Sequence, residues 1–146
     1  MRPFLLEQQK MPARERGFII EKGADFQREL YLQPGPDADI RLFTARMQIR
    51  ATPSSPTVLL ELTTANTYLA VDYGKITINV PNAIVDTIDT STLTVSGKIT
   101  EPAPVGELPY EGFGKIAVYD LELVSPAGIV SRYLQGKVVF VENVTR

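Results

Sequence analysis

The chain has no cysteine, no histidine and no tryptophan. Without cysteine there can be no disulfide, no thiolate metal site and no thiol nucleophile, a composition that fits a reducing compartment. Without histidine the chain lacks the side chain that titrates near neutrality, and with it Ser-His and Cys-His dyads and most zinc sites. Charge of either sign is nearly balanced: 15 Lys and Arg stand against 17 Asp and Glu, a net charge of -2. No field follows that would draw in nucleic acid or an anionic membrane. No apolar run approaches the ~20 residues of a membrane span. The opening "MRPFLLEQQKMPARERG" is too briefly apolar and wrongly flanked for a signal peptide, so the expectation is a soluble, unprocessed protein.

What is present is the composition of a globular domain. Hydrophobic residues make up 44% and charged residues 22% of 146, enough for a core without covalent staples. Residues 1–17 read as an N-terminal arm. Pro3 and Pro12 leave no room for a long helix, so the arm is expected to be extended, either as a frayed end or with Phe4, Leu5 and Leu6 docked on a neighbouring subunit. Residues 18–146 read as one domain.

Within that domain the pattern is of strands. Two extended runs flank "QPGPDAD", a loop by its Pro, Gly and Asp chemistry. Residues 41–50 alternate strictly: Phe43, Ala45, Met47 and Ile49 share one face, and Leu42, Thr44, Arg46, Gln48 and Arg50 the other. "VLLEL" continues the series, followed by a strand, a turn near residues 72–74 and a strand over 75–80. Pro81 can open a helix of one or two turns, with Ile84, Val85 and Ile88 at helical spacing. A strand over 92–99 then leads into a long inserted loop, 101–113, dense in Pro and Gly. Tyr110 and Phe113 near its end either contact a partner or fold back on their own core.

The closing hairpin is the most legible element. Ser125 to Ile129 suit a three-residue loop, with Pro126 at the first turn position and Gly128 in the left-handed one. Ser125 then faces Ile129, and Val124, Leu123, Glu122, Leu121 and Asp120 face Val130, Ser131, Arg132, Tyr133 and Leu134 in turn. Glu122 and Arg132 should form an ion pair. Past Gly136 the strand is apolar on both faces, and Val138 and Phe140 are expected to remain available to a neighbour.

Eight or nine short strands and at most one short helix imply an all-β antiparallel sandwich, immunoglobulin-like or Greek key. Close carboxylate pairs, Asp37 with Asp39, Asp86 with Asp89 and Asp120 with Glu122, each have a plainer use in a turn, a helix end or a strand face. "DAD" lacks the ligand run of a calcium loop. There is no phosphate-binding glycine loop and no nucleophile elbow, and "NVT" at Asn143 reads as a chance sequon. Neither catalysis nor a cofactor is expected. Tyrosines that could stack on sugars are dispersed along the chain.

The ordered segments "GADFQRELYL", "DIRLFTARMQIR", "VLLELTT", "GKITINVP" and "YDLELVSPAGIVSRYLQGKVVFVENVTR" resemble a group of small bacteriophage and prophage proteins. The resemblance covers residues 23–146 and is most specific in the Tyr-Asp-Leu-Glu-Leu hairpin with its terminal Val-Thr-Arg. It departs at residues 91–113, where this chain carries an insertion. The group is similar to the N-terminal module of phage baseplate upper proteins and to fibre adaptors. The resemblance implies a virion structural protein of tail, baseplate or receptor-binding fibre attachment, made in the host bacterial cytoplasm. Its partners would be other virion proteins and copies of itself in a symmetric oligomer, with no nucleic acid and no membrane. A capsid decoration protein is the near alternative, and a carbohydrate- or host-surface-binding module the alternative of another class.

Overall fold

The computed structural model describes residues 14–32, 39–104 and 106–142. Phe4, Leu5, Leu6, Asp37 and Asn143 lie outside these residues. The described elements are β1 Arg14–Glu15, β2 Phe18–Glu21, β3 Phe26–Tyr31, β4 Thr44–Arg50, β5 Val58–Thr63, β6 Leu69–Asp72, β7 Lys75–Val80, α1 Asn82–Val85, β8 Ser96–Glu101, β9 Tyr110–Val124 and β10 Val130–Val141. The protein is all-β, with α1 a single turn behind Pro81, which stands at the N-cap.

Two sheets pack face to face. The larger runs β1-β10-β9-β4-β5, with β2 also on β10 and β8 also on β9; the smaller is β3-β7-β6. The apolar alternation read from residues 41–50 sets the packing: Ala45, Met47 and Ile49 are buried, joined by Leu121 and Leu123 of β9 and, from the smaller sheet, by Phe26, Leu30, Ile76, Ile78 and Val80. Each such side chain taken from water contributes about 1.5–3 kcal/mol.

The larger sheet is mixed rather than purely antiparallel, because β1 and β2 lie parallel to β10. The N-terminal run is thus a sheet element as far out as Arg14. Arg16 N donates to Gln135 O at 3.0 Å, and the Tyr119 hydroxyl donates to Arg16 O at 2.6 Å. This docking requires glycine at Gly136, where a Cβ would come within 2.4 Å of Arg16 O.

The closing hairpin turns as its sequence dictates, with Gly128 at φ 86° and Ser125 N donating to Ile129 O at 2.9 Å. The register then departs from expectation. A bulge at Tyr133 places Leu134, not Tyr133, opposite Leu121, and Gln135 opposite Asp120. The extra residue turns Leu134 inward, where it is 5% exposed, and sets the phase that buries Val138 and Phe140. Arg132 faces Glu122 in the ladder but pairs with Asp120 at 3.5 Å, because Glu122 is held by Arg46 at 2.7 Å.

The insertion differs from its sequence reading too. Residues 92–95 are not strand; β8 begins at Ser96, and Tyr110 to Phe113 belong to β9, which leaves residues 102–109 as the connection. β9 is 15 residues long and, besides β10, serves two neighbours, β8 along its first part and β4 along its second. Gly114 permits the close approach of β9 to β10, since a Cβ there would overlap Phe140 O. The β8–β9 hairpin consequently lies against β2 and β10 on the sheet's outer side.

Candidate functional site

Val138 and Phe140 are fully buried in the chain's own core, and Val139 between them is fully buried on the opposite side. The apolar excess past Gly136 is therefore consumed within the fold, and neither Val138 nor Phe140 is a contact surface. The reason lies in the β8–β9 hairpin. Val139 sits in a row with Ile19 of β2 and Ile116 of β9, and the β8–β9 hairpin packs over that row. Close contacts mark the cover: a Cβ on Gly112 would meet Ile19 at 2.9 Å, one on Gly97 would meet Ile116 at 3.0 Å, and one on Gly17 would meet Ile99 at 3.1 Å.

The hairpin's two faces follow from its pairing. Gly97, Ile99 and Glu101 of β8 lie opposite Gly114, Gly112 and Tyr110 on the inward rows; Ser96, Lys98 and Thr100 lie opposite Lys115, Phe113 and Glu111 on the outward rows. Phe113 is therefore presented outward and is 66% exposed, with Lys98 and Glu111 paired beside it at 3.5 Å. Leu108 on the connection is 86% exposed and Tyr110 46%. Of the interaction residues expected from sequence, Tyr110 and Phe113 are on the surface and belong to one hairpin.

Glu101, which sequence reasoning passed over, is the buried charge of the site. Its side chain is 1% exposed. Oε1 accepts from Ile19 N at 2.8 Å and from Arg28 Nη2 at 3.0 Å, Oε2 accepts from Arg28 Nε, and Arg16 Nη2 lies 3.5 Å from Oε2. Arg28 Nη2 also donates to Ile19 O at 2.9 Å. The ion pair thus satisfies both backbone groups of Ile19 on the side of β2 that, among the described residues, no strand covers, as buried charge and buried backbone both require. A signal was present in the sequence: Gly97, Ile99 and Glu101 share one face of an alternating strand, and Glu101 is the polar member of an otherwise inward row.

Beside this pair lies a cleft of about 1160 Å³, bounded by β2, β3 and the connection after β8; Tyr31, Tyr110, Glu29 and Pro104 are among its walls. The dispersed tyrosines thus include two that meet at one cleft. Tyr31, 67% exposed, donates its hydroxyl to Glu29 Oε2 at 2.7 Å. That bond, helped by Lys75, holds the Glu29 carboxyl below its ordinary range and raises the Tyr31 phenol.

Other acidic side chains are engaged within the fold. Asp86 accepts from Gly23 N and Asp89 from Ser91, while Asp39 is held by Arg41, which lowers its pKa. Among the described residues, no cluster of acids has the makings of a metal centre, and no helix is long and apolar enough to cross a membrane. Compared with protein-family models and with curated protein sequences, the chain matches none.

Proposed function

We propose that the chain is a bacteriophage virion structural protein, an adaptor of the tail, baseplate or receptor-binding fibre attachment that works by subunit packing and carries out no catalysis. The observation that carries the packing part is a pair of exposed apolar side chains, Phe113 on the outward row of β9 at 66% and Leu108 on the connection before it at 86%. Apolar side chains held out on a rigid support serve a neighbour better than they serve the fold. The virion part rests on the resemblance of residues 23–146 to small phage proteins. Its partners are then other virion proteins and copies of itself, and its location is the particle, assembled in the host bacterial cytoplasm. A capsid decoration protein differs from this reading only in its station.

Replacing Phe113 and Leu108 together by Ser tests the packing part. Thermal stability should change by no more than about 0.5 kcal/mol, as for surface sites generally. Self-association by light scattering, or incorporation into particles, should be lost. Unchanged association in the double variant contradicts the proposal. A second reading, a carbohydrate- or host-surface-binding module, is favoured by the convergence of Tyr31 and Tyr110 on one cleft, and glycan binding by the isolated monomer would select it.

A further inference from the structure

β3 is an edge strand, and its free edge opens into the cleft. The register shows which backbone groups face outward. Asn79 N donates to Tyr68 O on the β6 side of β7, so alternation turns Ile76, Ile78 and Val80 toward β3. Their partners Leu30, Arg28 and Phe26 use their N–H and C=O groups on β7, and Leu32 N continues the ladder to Gly74 O at 2.9 Å. Gln27, Glu29 and Tyr31 therefore point their backbone groups away from the sheet. Arg28 Nη1 caps Gln27 O at 2.8 Å. Among the described residues, the N–H and C=O of Glu29 and Tyr31 have no protein partner.

We propose that this edge is a strand-addition site, which takes an extended, uncharged peptide segment of a partner chain as a fourth strand on β3. The inference deepens the packing reading and rests on it. Three observations select the occupant. First, donors and acceptors spaced two residues apart along an open edge are complementary to an extended backbone. Second, the cleft carries no excess charge: Arg28 and Arg16 share Glu101, Glu29 lies 3.7 Å from Lys75, Glu111 is paired with Lys98, and Glu21 on the wall offsets the second arginine. A strongly charged segment would therefore find no net countercharge there. Third, the wall facing the edge is Pro102, Ala103, Pro104 and Pro109, which offers apolar contact at small entropic cost on ordering. The partner segment should carry apolar side chains toward this wall and hydroxyl side chains on alternate positions.

The test uses the full chain and a library of blocked seven-residue peptides that alternate Val, Ile, Leu or Tyr with Ser or Thr. Selected peptides should protect the Glu29 and Tyr31 amides from hydrogen exchange. N-methylation of the peptide at alternate residues should weaken binding at least tenfold. Glu29→Pro should do the same while leaving the fold intact, because the Glu29 N–H is not used by β7. The Phe113 and Leu108 variant should bind the peptides as the parent does, so failure at the cleft is separable from failure of the packing reading. The proposal is overturned if no library member protects these amides. It is overturned equally if protection arises from self-association without peptide, or if cello- or malto-oligosaccharides perturb Tyr31 and Tyr110 and peptides do not.

Discussion

Glu101 shows how one residue can tie a hairpin to the rest of a domain. Its carboxylate sits at the junction of β2, β3 and the β8–β9 hairpin, bonded to Ile19 N of β2, to Arg28 of β3 and to Arg16 between β1 and β2. Removing it leaves Arg28 without its partner and Ile19 N without an acceptor, so Glu101→Leu should cost about 3 kcal/mol in urea denaturation. A loss below about 1 kcal/mol would mean that the hairpin is held by its apolar contacts alone. Asp120 behaves in the opposite sense. Burial, reinforced by the neighbouring Glu122, raises its pKa against the pull of Arg132. The folded state then holds the Asp120 proton more tightly than the unfolded chain. Its contribution to stability is therefore lost as pH rises from about 3.9, the ordinary aspartate value, through the raised one. The side chain is 40% exposed, so solvent screens the effect. Asp120→Asn should flatten this part of a melting-temperature profile against pH, and an unaltered profile would contradict the assignment.

At the scale of elements, the N-terminal run and the β8–β9 hairpin are both docked on β10, one at its edge and one over its outer face. Deleting residues 1–17 removes the Arg16 carbonyl that Tyr119 bonds and the Arg16 guanidinium beside Glu101. That truncation should lower the melting temperature measurably, by roughly 4–8 °C per kcal/mol lost in the smaller domains and less in one of this length. No change would mean that β1 and Arg16 ride on the sheet without stabilising it. The strands and the Ser125 to Ile129 turn were readable from sequence, because period-two burial and turn chemistry are local properties. The bulge at Tyr133 was not, because it is set by the need to bring Leu134, Val138 and Phe140 into one core. Nor was the fate of Val139: a strand apolar on both faces suggests a missing neighbour, and here the neighbour is the chain's own β8–β9 hairpin. Tyr110 and Phe113 were recognised as candidates from their position among Pro and Gly residues, but their opposite faces follow only from pairing with β8.

For the whole molecule, the two sheets leave little apolar surface unused except at the hairpin, the cleft beside it and a few scattered positions such as Leu42. The hairpin and the cleft adjoin, since Tyr110 and Glu111 of β9 border the cleft while Phe113 faces out two residues later. A packing module with this layout would meet one neighbour through Phe113 and Leu108 and receive an extended segment along β3. The most direct measurement is an electron cryomicroscopy reconstruction of the phage particle in which the chain is proposed to reside. It is expected to hold symmetric copies of the sandwich, each with Phe113 and Leu108 covered by an adjacent subunit. Particles that lack the chain, or copies whose β8–β9 hairpins all face solvent, would contradict the proposed role.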